Sequence, residues 1–465
     1  MRYHLITLGC QMNLSDSERV KTVLEDQMGY LWTDNEDEAG LLGIVACSVR
    51  QKAIDKVYSR IAKWNKAKRK RNLITFVSGC ILPQDKERFL KLFDIVFPMS
   101  ELPQLPEMVS QYGVVNPVGI HSINSGNLAN RNIREFWNID PHYQSTFEAF
   151  VPIQNGCDKF CTFCAVPYTR GREVSRPSGE IVQEVKLLVD KGYRSITLLG
   201  QNVNSYGLDK QGEELGFAGL LREIGEYGRR EGKDFWLYFT SPHPRDMTDE
   251  VIDVIGEYDC LAKQIHLPVQ SGDDRVLVRM NRKHNIDRYR SIVEKIRSTI
   301  PQASLFTDII VGFTGETDEQ FENTRRIMRE FRYNMAYIAM YSPRPGAASS
   351  RWADDIPLEV KKQRYHLLSE DLAEVSHREL QKLIGQTLKV LVRGRDRKPG
   401  YLSALTEGRL IVRFPSDDLD LIGQFAQVRF TGAAEFSAEG ALVASGGSAF
   451  GREWLVAGLP SADSG

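Results

Sequence analysis

The chain has 465 residues, 42% hydrophobic and 26% charged, an ordinary soluble balance with room for two to four domains of about 100–200 residues. Sixty Lys and Arg stand against 61 Asp and Glu, so the net charge of −1 excludes a whole-chain electrostatic case for nucleic acid and leaves only local patches. No run approaches the roughly 18 apolar residues of a membrane span, and the first residues enter a strand-like pattern without an apolar leader, so no membrane partner and a cytoplasmic location are expected.

In chain order, residues 3–7, 41–45, 73–77 and 95–97 read as strands, and 16–28 and 51–71 as helices, the second with Ile54, Val57, Ile61 and Trp64 at helical spacing. This alternation predicts a flavodoxin-like parallel sheet in a domain spanning 1–117. Residues 99–147, rich in Pro, Asn, Gly and Ser, read as a linker or bridge. A longer alternation follows within 143–380. Its strands are expected at 150–153, 195–199, 235–239, 262–267, 305–311 and 336–340, and its helices at 179–191, 219–230, 249–257, 287–300 and 318–331. Six such units predict a partial (β/α)6 barrel with its chemistry at the strand carboxyl ends. A charged amphipathic helix over 358–383 closes it. Short runs at 388–393, 401–404, 410–414, 425–431 and 441–444 predict a small antiparallel β-barrel of the oligonucleotide-binding (OB) type over 383–446, with 447–465 as a tail. The fold class is therefore α/β with a C-terminal β-barrel.

Seven cysteines in a chain expected to live in a reducing compartment argue for metal binding or catalysis over disulfides. Cys157, Cys161 and Cys164 fall inside eight residues after the first barrel strand. Three thiolates so close fit a loop wrapped around a soft metal centre, and a four-iron cluster held by three ligands keeps one iron open. The spacing, with Phe163 before the last cysteine, resembles the signature of the radical S-adenosylmethionine (SAM) superfamily. That resemblance implies a [4Fe-4S] cluster whose open iron chelates the amino and carboxylate groups of SAM, reductive cleavage of SAM to methionine and a 5′-deoxyadenosyl radical, and Phe163 against the adenine. Cofactor chemistry of this kind leaves the protein to supply placement and dryness.

Cys10, Cys47 and Cys80 each follow a strand of the N-terminal sheet, where α/β sheets build sites. Singly each reads more often as a buried small hydrophobe than as a ligand, and their common placement after successive strands raises the joint ligand reading. Leu8-Gly9-Cys10-Gln11-Met12-Asn13, Cys47-Ser48-Val49-Arg50-Gln51-Lys52-Ala53 and Gly79-Cys80 resemble the amino-terminal domain of the methylthiotransferases. The resemblance implies a second, auxiliary [4Fe-4S] cluster on these three cysteines, whose free iron carries the sulfur to be methylated and delivered. Val45-Ala46 stands where that family has Asn-Thr, removing polar groups beside the cluster. Cys260 has no ligand-like neighbour and reads as a core residue.

The strand ends carry the resemblance further. Gly200, Gln201 and Asn202 after the second barrel strand, Gln270 and Ser271 after the fourth, Ile310 on the fifth and Tyr341 after the sixth are the SAM-binding candidates, each weighed against an ordinary loop. Gly312-Phe313-Thr314-Gly315-Glu316-Thr317 has lost the proline usual at Thr314. Arg170, Arg172 and Arg176, behind the cysteine loop, suit phosphate or carboxylate binding as well as pairing with local acids. The C-terminal barrel resembles the RNA-binding TRAM domain, and Lys389, Arg393, Arg395, Arg397 and Lys398 cluster at its first turn; among these, Arg393, Arg395 and Lys398 are the RNA-contact candidates. Lys63, Lys66, Lys68, Arg69, Lys70 and Arg71 form another basic run that also reads as a solvated helix end.

The run after Cys47, and Tyr168-Thr169-Arg170-Gly171 with Ser175-Arg176, resemble the branch acting on isopentenyl-adenosine beside the anticodon of tRNA. The implied reaction places a methylthio group on carbon 2 of that adenine and uses two SAM per product, with an electron donor and a sulfur donor of unknown identity. The alternatives are threonylcarbamoyl-adenosine in tRNA or a ribosomal-protein aspartate as acceptor, and a non-catalytic iron–sulfur RNA-binding redox sensor.

Overall fold

The computed structural model describes residues 1–47, 51–112 and 128–445. Ser48 to Arg50 of the middle cysteine motif, the boundary expected at 117 and the tail at 447–465 lie outside these residues. Five strands, β1 (Arg2–Leu8), β2 (Leu31–Trp32), β3 (Leu41–Cys47), β4 (Ile74–Cys80) and β5 (Ile95–Val96), form a parallel sheet in the order β2-β1-β3-β4-β5. The central strand β3 is buried at every position, as the near-continuous apolar run Leu-Leu-Gly-Ile-Val-Ala requires of a strand covered on both faces. Helix α2 (Gln51–Lys68) turns Ala53, Ile54, Val57, Ile61 and Trp64 onto one side of the sheet.

Helix α1 (Gln11–Thr22) starts five residues earlier than the sequence suggests and runs into a π-turn over Val23–Gln27. The start was hidden because a cysteine, not Ser or Asp, occupies the cap. Cys10 and Asn13 cap one another reciprocally, in the manner of a capping box. The helix is polar yet Asn13, Ser15, Asp16, Ser17, Glu18 and Arg19 are buried, because it is covered on both sides, with Ser15 Oγ donating to the carbonyl of Phe150 at 3.2 Å.

Within the segment read as a linker or partly ordered bridge, the described residues form short helices. After α3 (Pro83–Phe89) come a 3-10 turn at Met99–Gln104, α4 (Leu105–Gln111) and α5 (Leu128–Trp137). Leu102, Leu105, Val109, Ile133, Phe136, Trp137 and Ile139 join Tyr3, Val20, Leu41 and Phe76 in one apolar cluster. The Pro and Asn content masked short helices whose few apolar residues all point one way.

Six parallel strands then build the expected partial barrel: β6 (Glu148–Pro152), β9 (Ser195–Leu199), β10 (Trp236–Phe239), β11 (Gln264–His266), β12 (Ser304–Val311) and β13 (Met335–Met340). They form two three-stranded sheets, β10-β9-β6 and β11-β12-β13, joined by a parallel bridge between Leu237 and Leu261. Between β6 and β9 lie a small ribbon, β7 (Gln154–Asn155) with β8 (Val174–Ser175), then α6 (Val166–Arg170) and α7 (Ser178–Asp190). Helices α8 (Phe217–Glu231), α9 (Asp249–Glu257), α10 (Asp274–Arg279), α11 (Ile286–Thr299) and α12 (Asp318–Phe331) complete the barrel, and α13 (Leu358–Gln381) follows. Cys260 is buried against Gly228, as expected of a core residue.

The chain divides into two compact units, 1–375 and 376–465. The second is a closed barrel of β14 (Thr387–Arg395), β15 (Tyr401–Thr406), β16 (Ile411–Pro415), β17 (Phe425–Ala433) and β18 (Ser437–Ser445) around Val390, Val392, Leu402, Phe414, Val428 and Phe430. It is not wholly antiparallel: the seam between β16 and β18 is parallel, which closes the barrel after the β17–β18 hairpin crosses over.

Candidate metal centres

In the N-terminal sheet Cys10 follows β1 and caps α1, while Cys47 and Cys80 are the last residues of β3 and β4 and are register partners. Three cysteines remote in sequence thus share one carboxyl edge of three neighbouring strands. Gly79 makes this possible: its φ is +112°, and a Cβ there would lie 2.2 Å from the Ala46 carbonyl oxygen. Asn13, fully buried, donates from Nδ2 to the Ala46 carbonyl at 3.2 Å and accepts from the Cys10 amide at 3.2 Å and the Cys10 thiol at 3.6 Å. Asn13 carries no ligand signature of its own; its only signal in the sequence is the cysteine-to-asparagine spacing of three, as in a capping box. Val45 and Ala46 are completely buried in the two apolar cores flanking the sheet, which is why apolar residues are tolerated before this cysteine. The Cys80 thiol is raised well above its usual range, first by its hydrogen bond with Cys47 and then by burial.

The central loop is held differently. The Cys157 amide donates to the Gly171 carbonyl at 3.2 Å. Asp158 and Glu173 clasp each other's backbone amides at 3.1 and 3.2 Å. Thr162 donates from its amide to the Met280 carbonyl at 3.1 Å and from its hydroxyl to the Arg279 carbonyl at 2.8 Å. Arg282 donates to the Cys161 sulfur at 3.4 Å and to the Pro268 carbonyl at 2.7 Å. Burial, chiefly, lifts Cys157 to about 11 and Cys164 to about 12, and each thiol is raised further by Cys161 beside it. Buried thiols this reluctant to ionise alone are ones that a metal would deprotonate.

Among the described residues no three His, Cys, Asp or Glu side chains close on a single metal ion. A cubane takes each thiolate on a different iron, and the all-thiolate donor set at each site suits an iron–sulfur group. Each set also offers a guanidinium to a sulfur, Arg170 to Cys80 and Arg282 to Cys161, the donor chemistry an anionic iron–sulfur group accepts.

The SAM candidates divide into three kinds. Phe163 and Ile310 pack on a cluster containing Val276, Met280, Phe313 and Tyr341, so three candidates form one apolar wall. Gln201 accepts the Gly156 amide at 2.5 Å through Oε1, and the Gly200 Cβ position is crowded by Val203 and Gln154. Asn202 donates to Asp246 at 3.0 Å, leaving its buried Oδ1 without a partner. Gln270, at φ +75°, donates its amide to the Asp308 carbonyl at 2.9 Å, whereas the hydroxyls of Ser271 and Tyr341 are taken by Thr324 and Ser349. Sequence reasoning passed over Gln154, His243 and His284, whose Oε1, Nε2 and Nε2 atoms are likewise buried and unpartnered. Burial holds both imidazoles below the usual range, His284 at about 4, so they are neutral. Such orphaned buried atoms fit a polar ligand. For His243 the signal was Ser-Pro-His-Pro just after β10; Gln154 on β7 and His284 in the turn between α10 and α11 stand in no such motif.

Of the basic candidates, Arg170 has a side chain only 6% exposed, and Arg176 is engaged by Glu180 and Glu184. Arg172 is open at 71% and lies over the Phe160 ring. Lys63 pairs with Glu36, Lys68 with Asp94, and Arg71 donates to three carbonyls, so half of that helix-end run closes the sheet. In the second unit Lys389 and Arg393 alternate with core residues Val390 and Val392; Arg395 and Lys398 are exposed, and Lys398 lies over Tyr401 at 3.8 Å.

The radical SAM superfamily matches residues 151–328, the uncharacterized protein family UPF0004 matches 2–98, and the TRAM domain matches 381–443. A solved radical S-adenosylmethionine methyltransferase, TsrM from Kitasatospora setae, shares the fold with TM-score 0.53 at 12% identity, covering 87% of this chain and 78% of its own. Barrel, cysteine loop and match together are those of the radical SAM superfamily. The tRNA-2-methylthio-N(6)-dimethylallyladenosine synthase of Alcanivorax borkumensis is 38% identical over 91% of this chain and 94% of its own. That of Pseudomonas aeruginosa is 37% identical over 94% and 98%, and that of Cronobacter sakazakii 38% over 92% and 90%. The chain belongs to the family of these tRNA-2-methylthio-N(6)-dimethylallyladenosine synthases.

Proposed function

We infer that this protein is a radical SAM methylthiotransferase that places a methylthio group on carbon 2 of isopentenyl-adenosine beside the anticodon of tRNA, using two SAM per product. The observation that carries the reading is the pairing of two three-cysteine sets at strand carboxyl ends within a chain 38% identical to such synthases over most of its length. Cys157, Cys161 and Cys164 would hold one [4Fe-4S] cluster and Cys10, Cys47 and Cys80 another. Bound there, such clusters supply an open iron for the amino and carboxylate groups of SAM, an electron for its cleavage, and a site for sulfur.

The chain's own residues do the rest. Phe163, Ile310 and Tyr341 would give the adenine of SAM an apolar wall, and the unpartnered polar atoms of Gln154, Asn202, His243 and His284 would be available to its polar parts. Neutral imidazoles accept or donate hydrogen bonds without adding charge beside an anionic cluster. Carbon 2 of a purine has no acidic proton, so a radical route is needed rather than acid–base work. Arg172, Arg393, Arg395 and Lys398 supply phosphate contacts to the tRNA, whose target base must be splayed out to react. No helix among the described residues is long and apolar enough to cross a membrane. A tRNA substrate supports a cytoplasmic location. The electron and sulfur donors are supplied from outside.

The test is anaerobic reconstitution followed by incubation with reductant, SAM and isopentenylated tRNA. Formation of 5′-deoxyadenosine and of methylthiolated nucleoside is expected. No 5′-deoxyadenosine overturns the radical reading, and its formation without the modified nucleoside overturns the acceptor.

A further inference from the structure

Arg170 stands at the end of α6, six residues beyond Cys164, so the chain that wraps the central cysteines ends on the N-terminal set. Its Nε donates to the Cys80 sulfur at 2.9 Å. Its Nη2 meets Asp16 Oδ2 at 2.5 Å, and its Nη1 reaches Asp16 Oδ1 at 3.5 Å and Asn155 Oδ1 at 3.4 Å. Asn155 in turn donates to the Arg170 carbonyl at 2.9 Å. Asp16 is fully buried on α1, the helix that Cys10 caps. A guanidinium filled in this way by partners inside the protein is not free to take a tRNA phosphate.

The geometry points to Arg170 as a positioning residue of the auxiliary centre: braced by Asp16, it ties the Cys80 sulfur to the loop behind the central cysteines and raises the reduction potential of an iron–sulfur group held by Cys10, Cys47 and Cys80. Hydrogen bonds to cluster sulfurs and nearby positive charge both favour the reduced, more negative state. The fork is needed for this. One donor must face the sulfur while the others hold the carboxylate, which a lysine cannot do. Nothing in composition or motif spacing separates this arginine from its neighbour Arg172, which is open to solvent. The inference rests on the two-centre reading above.

The full-length chain carrying C157A, C161A and C164A isolates the auxiliary centre, which is then titrated with dithionite and redox mediators while its EPR signal is followed. In that background R170Q is expected to move the midpoint to a more negative potential, and R170K to move it in the same direction by less. An unshifted midpoint and unchanged EPR signal in both variants overturns the role of Arg170. If R170Q fails to retain iron, R170K decides alone: a shift supports the role and no shift overturns it. The parent reading fails separately, through about four rather than about eight irons in the reconstituted wild-type chain.

Discussion

The two cysteine sets of this protein reach similar chemistry by opposite means. Cys157, Cys161 and Cys164 are neighbours in sequence, gathered by one loop that backbone and side-chain hydrogen bonds fasten at Gly171, Glu173, Met280 and Arg279. Cys10, Cys47 and Cys80 are neighbours because β1, β3 and β4 lie in register. The first set depends on local chain geometry, the second on the integrity of a whole sheet, so damage to the sheet core should empty one centre and spare the other.

The strongest way to break that comparison is to remove the ligands. The C10A/C47A/C80A and C157A/C161A/C164A variants are each expected to fall from about eight irons to about four after anaerobic reconstitution. If either variant loses all iron, the two sets are not independent. Next, Phe76 is fully buried in β4 and packed against Gly43. F76A should cost about 3–5 kcal/mol and selectively lower iron at the N-terminal set, read as a lower melting temperature with the iron of the central set retained. Gly79→Ala is a smaller insult to the same edge. Its φ of +112° and the Ala46 carbonyl 2.2 Å from the new Cβ predict about 1–3 kcal/mol of strain and reduced occupancy of the N-terminal set alone.

Acid sharpens the comparison from the barrel side. His284 is held at about 4 by burial, below the ordinary imidazole range near 6.5, so an unfolded chain takes up its proton first. Its contribution to stability is intact above about pH 6.5 and is lost as pH falls toward 4. H284Q should flatten that loss in a pH series of melting temperatures, leaving the response of the N-terminal sheet unchanged. The smallest effect is expected at Arg172: R172A should leave both iron and stability within about 0.5 kcal/mol of wild type while lowering tRNA affinity and the salt slope by about one phosphate.

Much of this organisation was legible in the sequence. Apolar runs at strand spacing located four of the five strands of the parallel sheet and all six barrel strands, whereas the two-residue, exposed β2 carries no such run. The cysteine spacing named the central loop, and its resemblance to a known family carried the N-terminal set. What escaped depended on tertiary contact. The polar helix α1 began earlier than expected, since its cap is a cysteine and its polar residues are satisfied by distant elements. The parallel seam of the small barrel is a property of chain crossing and leaves no periodic trace. Arg170 and Arg172 look alike in sequence, and only the fold buries one and exposes the other. His243 and His284 stand forty-one positions apart with rings 5.8 Å from each other, a convergence no local pattern records.

The α5 helix gives the N-terminal sheet a long reach along the chain. Ile133, Phe136, Trp137 and Ile139 fill a face whose last strand ended at Val96. During synthesis that face is completed only when residue 139 has left the ribosome, Val20, Val23, Leu24, Leu102, Leu105 and Val109 covering part of it earlier. A fragment cut at residue 98, where the first family match stops, would lack all the later residues of this face, leave part of it exposed and be prone to aggregate.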